Sequence, residues 1–393
     1  LVIDALFGSG LKRPVTGDYE VLIQWINHSG YPVLAVDIPS GVNGSTGLIA
    51  GTAVRADLTV TFSFPNVGNV CYPGAENTGK LVVSTIGIPR KLLKETPCAA
   101  QSIQASDVRK WLPQRVSTAH KGDFGNLLIM AGTTGYSGAT LMAARAAQIS
   151  GVGLVKTAVK KDLNIIFEQT LTDVVSIPLE EGEAGGFSEQ GLHSLKESIH
   201  QASAILAGPG WGREAGWTSL LSLLMRTKGS PLLLDADALN LLSSHLDWVS
   251  QSLRPLVLTP HPGEMSRLTG LTVSEINRNR IKVTRDTART LNAIVVLKGA
   301  GSVVASPQGE IIINQTGNSG MAKAGSGDVL AGIIASLMAQ GMLPYRAAAA
   351  GCWIHGKAGD HAARVYGKTS LIASCLAEFI PSVFKQLEDG IEE

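Results

Sequence analysis

Residues 318–340 read NSGMAKAGSGDVLAGIIASLMAQ: a glycine-rich turn, one aspartate, then an apolar helix without charge. Gly325, Ser326 and Gly327 carry little or no side chain, so the backbone can bend tightly and direct successive N–H groups into one cavity that suits an anion. The helix that follows, from about Asp328, adds its own unpaired N–H groups and the positive end of its dipole. Asp328 is the anomaly, because a carboxylate beside a phosphate is repulsive. If phosphate binds here, Asp328 is better placed to take a proton from an attacking hydroxyl than to hold the anion. The alternative is that Asp328 caps the helix, a position that Asp favours.

The elements before this stretch repeat one theme, a strand followed by a polar or glycine-rich turn. Strand 126–131 leads into a Gly/Thr/Ser loop and an Ala-rich helix from about 138 to 150, and a second strand near 152–159 completes a βαβ unit. AILAGPGWG sets Gly208, Gly210 and Gly212 after a strand, and PLLLDADALNLL sets Asp235 and Asp237 at a strand end. In LVLTPHPGEMSRL, His261 lies between two prolines that restrict the backbone, so it can bind a polar ligand or make a structural hydrogen bond. Strand 293–297 runs into KGAGS, where a Gly-rich turn beside Lys298 points to a nucleotide phosphate, with a strand-end surface lysine as the alternative. SVVASPQGEIIINQ reads as a hairpin turning near 308–309. Two helices, about 345–365 and 370–387, close the chain. His355 and His361 on the first of them read as packing or surface residues, since no partner stands at metal spacing.

The first ninety or so residues alternate apolar runs with helix-like segments. LVIDALF, VLAVDIP, LTVTFSF and KLVVSTIGI read as parallel strands, with an amphipathic stretch at 19–27. Ligands of such sheets sit beyond the carboxyl ends of the strands, where Asp4 and Asp37 stand. Either could instead be a buried aspartate satisfied by backbone N–H groups. Residues 90–119 carry prolines, a basic cluster and one short helical piece at 105–111, which places the domain boundary near 95–105.

Composition narrows the partners. The 393 residues, 45% of them hydrophobic, suffice for two cores. Lys+Arg 33 against Asp+Glu 32 gives a formal charge of +1 with no long basic or acidic block, so a small-molecule ligand is expected and no nucleic acid. Cys71, Cys98, Cys352 and Cys375 lie far apart and read as reduced thiols of a cytoplasmic protein. The uncharged run 329–345 is interrupted by Gln340 and ends at Pro344, so it reads as a core helix and no membrane contact is expected. A homo-oligomer is expected.

DALFGSGLKRP (4–14) and VDIPSGVNGSTG (36–47) resemble the C-terminal half of the NAD(P)HX epimerase domain, a Rossmann-like fold that interconverts the epimers of hydrated nicotinamide cofactor and binds potassium. The resemblance implies that Asp4 and Ser40 contribute to the K+ site. It likewise implies that Gly8, Ser9, Gly10, Leu11, Lys12, Arg13, Pro14 and Asp37 touch the substrate. The glycine-rich turns, TPHPGE, KGAGS and GNSGMAKAGSGDVLAG (317–332) resemble the ADP- or ATP-dependent NAD(P)H-hydrate dehydratase family over nearly all of 100–393. The same order of elements looks like the wider ribokinase-like fold, an α/β/α sandwich whose members phosphorylate small hydroxyl-bearing molecules. By this resemblance Lys298, Gly299, Ala300, Gly301, Ser302 and Gly327 bind ADP or ATP. Ala139, Gly208, Gly210, Gly212, His261 and Asp328 line the hydrated NADH or NADPH, with Asp328 as the catalytic base. Mg2+ is expected with the nucleotide.

The expected organisation is a partial epimerase-like domain over 1–98 and a dehydratase domain over 99–393. The rivals are a vitamin or sugar kinase on the same fold, and a non-catalytic nucleotide-binding protein. Because the epimerase family's Asn-Asn-Gly-Gly-Asp-Gly motif lies upstream of Leu1, protein of this length is expected not to accelerate epimerisation of hydrated NADH. A potassium-dependent acceleration, followed with a purified epimer, would overturn that expectation.

Overall fold

The computed structural model describes all residues except 97, 181, 183–186, 213–214 and 392–393, and the side chains of 90, 93, 94, 194 and 215 are also left undescribed. The chain divides into two compact units, Leu1–Gln101 and Ser102–Glu393.

In the first unit the four apolar runs form β1 (Val2–Asp4), β2 (Val33–Val36), β3 (Leu58–Phe62) and β4 (Lys80–Ser84), all parallel and in the order β1-β2-β3-β4. The amphipathic stretch is the helix Asp18–His28. Its Ile23 and Ile26, three apart and so on one face, pack with Val15, Val33, Ala35, Val54 and Ala56. Asp4 ends β1 and Asp37 follows β2, so both stand at the same edge of the sheet.

The second unit is built on a ten-stranded sheet: β5 (Gln101–Ser102), β6 (Asn126–Met130), β7 (Leu154–Lys160), β8 (Val175–Leu179), β9 (Ala204–Ala207), β10 (Leu232–Leu234), β11 (Leu256–Leu258), β12 (Ile294–Leu297), β13 (Val303–Ala305) and β14 (Ile311–Ile313). The spatial order is β5-β14-β13-β12-β11-β10-β9-β6-β7-β8, parallel from β12 to β8. β13 runs antiparallel to both β12 and β14, and Gly309, at φ 94°, lies in the turn of the expected hairpin. Strand residues alternate between faces. Leu127 and Ile129 share one core with the helices Ser137–Ile149, Ser326–Ala339 and Pro344–Ser370, while Leu128 and Met130 are equally buried outside that core. Val283 and Ala288 of the helix Arg280–Thr290, which packs on β12 and β13, also lie outside it. Covered on both faces, the sheet is the middle layer of the expected α/β/α sandwich.

Three details differ from the sequence reading. The single helix expected over 370–387 is two, Ala373–Glu378 and Ile380–Asp389. Pro381 lies in the first turn of the second, where its missing N–H costs nothing, whereas inside one continuous helix it would remove a hydrogen bond. The helix expected over 345–365 extends over Pro344–Ser370, broken at Gly367 (φ 71°, ψ 161°). The segment read as a linker contains the helix Arg90–Glu95 as well as the expected Ala105–Trp111. All four cysteines are free, and among the described residues no helix is long and apolar enough to cross a membrane.

The Ser326–Ala339 helix is buried along almost its whole length and lies against Ser137–Ile149. At Gly332 a side chain would collide with the carbonyl of Ala143, so the close approach of these helices depends on a hydrogen atom at this position. Gly332→Ala is therefore expected to destabilise the second unit by about 1–3 kcal/mol through overpacking. Gly138, which has open space around it near the start of the partner helix, is the control: Gly138→Ala should be neutral or slightly stabilising. Urea unfolding midpoints of the two variants check this.

Candidate active site

The parallel strands β6, β9, β10, β11 and β12 are neighbours, so their carboxyl ends open along one edge, and each is followed by one of the sequences singled out above. After β6 the chain turns into the helix that carries Ala139. After β9 comes GPGWG, and a side chain on Gly210 would stand 3.3 Å from the Ala139 Cβ, which brings these two turns together. The Gly212 N–H donates to Asp237 Oδ2 at 2.9 Å, joining GPGWG to the turn after β10. Ala236, between Asp235 and Asp237, has φ 51° and ψ −118°, a strained backbone for alanine.

After β11, His261 is the N-cap of the helix Pro262–Thr269. Its Nδ1 accepts from the N–H groups of Gly263 (3.0 Å) and Glu264 (3.3 Å), while Glu264 Oε2 accepts from the His261 N–H at 2.7 Å. The structural hydrogen bond is therefore made by Nδ1, leaving Nε2 with the proton, 3.4 Å from Glu264 Oε1. Burial lowers the pKa of His261, with Lys298 and Arg267 adding to the effect, which keeps the ring neutral.

Lys298 follows β12. Its ammonium lies 2.6 Å from Asp235 Oδ1 and 3.7 Å from Glu264 Oε2. Burial pushes it down, but Asp235, Glu264 and Asp328 outweigh that and hold it above its ordinary value. Burial likewise pushes Glu264 up to about 7 against the pull of Lys298. The KGAGS turn is held from beneath by Arg280 Nη2, which donates to the carbonyls of Leu297 (3.0 Å) and Lys298 (3.1 Å). Gly299 sits at φ 138°, where other residues are strained, and its neighbour Ala300 is exposed.

The Ser326–Ala339 helix closes this edge with its N-terminus. The cap is Gly325 at φ 89°, and Asp328 stands in the first turn without a side-chain capping bond, so the helix-cap reading of Asp328 does not match the geometry. Among the described residues, no carbonyl or side chain accepts from the N–H groups of Ala324, Gly325, Gly327 or Asp328, and the Asp328 carboxylate accepts no hydrogen bond. Burial pushes Asp328 up to about 7, with Asp235 acting the same way, Lys298 against it and Asp237 with it. Beneath the turn, Ser326 Oγ lies 3.2 Å from His355 Nε2, and burial pushes His355 down to about 4, so this histidine is a neutral packing residue. Four open amides, a helix dipole and one ammonium favour an anion, and a partner-free carboxylate beside them can take up a proton.

The family model for NAD(P)H-hydrate dehydratase matches residues 127–382. The chain belongs to the NAD(P)H-hydrate dehydratase family. A second model, for the YjeF-related protein N-terminus, matches residues 1–68. The bifunctional NAD(P)H-hydrate repair enzyme Nnr of Moorella thermoacetica is 41% identical over 392 residues, covering 100% of this chain and 74% of that protein. The ADP/ATP-dependent NAD(P)H-hydrate dehydratase of Bacillus subtilis, crystallised with ATP and Mg2+, superposes with a TM-score of 0.63 at 27% identity, over 73% of this chain and 99% of that one. A ribokinase-like superfamily protein of Enterococcus faecalis gives a TM-score of 0.65 at 25% identity, over 74% and 98%.

Within this dehydratase-family chain, the residues expected from sequence at the hydrate and nucleotide sites stand along one edge of the sheet. In the sequence Asp235 and Asp237 stand out only as strand-end residues and Glu264 only within TPHPGE; the structure brings all three to this edge. The signal for Glu264 was available, since an acidic residue three positions after the cap is the pattern of a capping box. In the first unit, Ser40 donates to Asp4 from its N–H (2.8 Å) and its hydroxyl (2.6 Å), and its Oγ accepts from the Phe7 N–H at 2.9 Å. Asp37, at φ 68°, accepts from Thr61 Oγ1 (2.9 Å) and Asn66 Nδ2 (3.2 Å). The 8–14 loop is tied down by Asn43 Nδ2, which donates to the Leu11 carbonyl at 3.0 Å, while Gly8 and Gly10 face open space.

The raised Asp328 pKa has a consequence for stability. A carboxyl that holds its proton more tightly when folded stabilises the fold below its unfolded pKa, and that contribution is lost as the pH rises through about 7. Asp328→Asn, which cannot ionise, is therefore expected to be more stable than the parent at pH 8, on the order of 1–3 kcal/mol, with the advantage shrinking toward pH 4. Chemical denaturation across that range measures it. A destabilised variant at pH 8 would show that the carboxylate is held by contacts stronger than its burial.

Proposed function

We propose that the chain dehydrates NAD(P)H hydrate to NAD(P)H, with ADP or ATP as phosphoryl donor and Asp328 as general base. The observation that carries this reading is the partner-free Asp328 carboxylate beside the open amides of the Ser326–Ala339 helix. Hydroxide is a poor leaving group from the hydrated nicotinamide ring. The substrate hydroxyl would attack the terminal phosphorus of the nucleotide, its proton passing to Asp328, and AMP or ADP would leave. The ring nitrogen's electron pair then expels phosphate as the carbon–oxygen bond breaks, and transfer of a proton from the neighbouring ring carbon to the departing phosphate or to water restores the dihydropyridine. The amides of Ala324, Gly325, Gly327 and Asp328 would stabilise charge on the transferred phosphoryl group.

In this reading the turn Lys298–Ser302 and Gly327 hold the nucleotide, while Ala139, Gly208, Gly210, Gly212 and His261 line the hydrate. No group of three His, Cys, Asp or Glu side chains gathers as a metal site among the described residues. Mg2+ would therefore be held chiefly by nucleotide phosphates and water, neutralising phosphate charge. In the first unit the adjacent oxygens of Asp4 and Ser40 support a K+ site, with the 8–14 loop and Asp37 toward an epimerisation substrate. A homo-oligomer in the cytoplasm completes the proposal.

The experiment pairs turnover with binding. Incubated with hydrated NADH and either nucleotide, the protein should restore the near-ultraviolet dihydronicotinamide band and release free phosphate. A stable phosphate ester would indicate a kinase, and binding without turnover a non-catalytic protein. Asp328→Asn should lower turnover by about 10²- to 10⁴-fold while nucleotide affinity, measured by calorimetry, holds or rises slightly. Turnover within a few-fold of the parent would remove Asp328 from the mechanism.

A further inference from the structure

The Lys298 ammonium is anchored on the protein. Its backbone N–H donates to the Pro260 carbonyl at 2.9 Å, its side chain is 16% exposed, and its Nζ meets Asp235 at 2.6 Å. Asp235 is 2% exposed, and its Oδ1 also accepts from Thr259 Oγ1 at 2.8 Å. A side chain on Gly327 would stand 3.5 Å from Lys298 Nζ and 4.0 Å from Asp235 Oδ2, so the pair presses against the helix one residue before Asp328. A lysine serving only as a phosphate clamp needs no buried carboxylate at hydrogen-bond distance.

We infer that Asp235 and Lys298 are positioning residues, an anchored pair of opposite charges beside Asp328 in which Lys298 keeps the carboxylate ionised and Asp235 keeps it basic enough to accept the hydroxyl proton. The inference rests on the reading of Asp328 as base. It assigns the ammonium of Lys298 to Asp328 and leaves the backbone of the KGAGS turn to the nucleotide. Besides the pair itself, the charge that acts on Asp328 is Asp237, and Glu264 acts on Lys298; Cys352 and His355 of the Pro344–Ser370 helix also feel the ammonium. Cys352 and His355 are held neutral by burial, at about 12 and about 4. Asp237 is engaged by the Gly212 N–H, and His261 by its cap. Glu264 Oε2 stands 3.7 Å from the ammonium, a second carboxylate that remains beside Lys298 when Asp235 loses its charge.

The test uses the full chain with 13C-carboxyl-labelled aspartate, the Asp328 signal being assigned by its absence in Asp328→Asn. Its titration is followed without ligand, alongside the pH dependence of kcat/KM. Lys298→Met should move the Asp328 titration and the acid limb of the rate profile upward by about one pH unit, and Asp235→Asn should move both downward by a similar amount. A purely structural pair would lower the melting temperature of both variants and leave the titration in place, which overturns the inference. So would a Lys298→Met variant that loses nucleotide affinity tenfold or more with the titration unmoved. Should Lys298→Met not fold, Asp235→Asn decides alone: a downward shift supports the inference, and no shift or an upward one overturns it. Normal turnover by Asp328→Asn would be a separate failure, of the base itself, and would overturn the inference along with the proposed function.

Discussion

The first amides of an α-helix have no acceptors within the helix, and a helix that is buried along its length cannot turn them freely to solvent. In the Ser326–Ala339 helix this constraint organises the second unit. Packing against Ser137–Ile149, made close by Gly332, fixes where the helix begins, and past the glycine cap the amides without acceptors stand beside Lys298 and Asp235 at the carboxyl edge of the sheet. Those donors remain open in the protein itself, and an anion satisfies them together with the helix dipole. In the proposed reading, nucleotide recognition here is prepared by core packing at a distance from the ligand, and a change of a single hydrogen atom at Gly332 bears on it.

An anion site that contains carboxylates is under electrostatic tension. Asp235, Glu264 and Asp328 act on Lys298, Asp237 acts on Asp328, and both Asp328 and Glu264 are driven toward neutral pH by burial. That tension is costly for folding and useful for chemistry, because an ordinary aspartate is too weak a base to take a hydroxyl proton efficiently near pH 7. Stability and proton affinity at this position are one quantity viewed from two sides. Ala236, at φ 51°, stands between Asp235 and Asp237, which meet different partners, Lys298 and the Gly212 N–H.

Some of this was legible in the sequence because the physical signal is local. The Gly-Ser-Gly-Asp turn, the KGAGS turn and the Pro-flanked His261 are each contiguous, and the alternating apolar runs of the first unit became the expected parallel strands. The break at Pro381 is also a local signal, a proline in the first turn of the helix Ile380–Asp389. The Asp235–Lys298 pair was not legible: its members are 63 positions apart and meet only because β10, β11 and β12 are adjacent. Nothing in either strand alone distinguishes an aspartate that anchors a lysine from one satisfied by backbone. His355 shows the converse, a histidine whose neutral packing role beneath Ser326 agrees with its apolar, Ala-rich surroundings in the sequence.

A fold shared with small-molecule kinases does not by itself explain a dehydration. In the proposed reaction the protein performs only the phosphoryl transfer, and the substrate's own ring nitrogen performs the elimination once its oxygen has become a phosphate ester. The site then needs no second acid for the departing group, because phosphate leaves without protonation where hydroxide could not. It follows that the parts inherited from phosphoryl transfer, open amides, a base and a nucleotide turn, are sufficient, and that the difference between kinase and lyase lies in the electron pair of the molecule held between GPGWG, His261 and Asp328. A hydroxyl compound lacking that electron pair, bound in the same place, would stop at the ester.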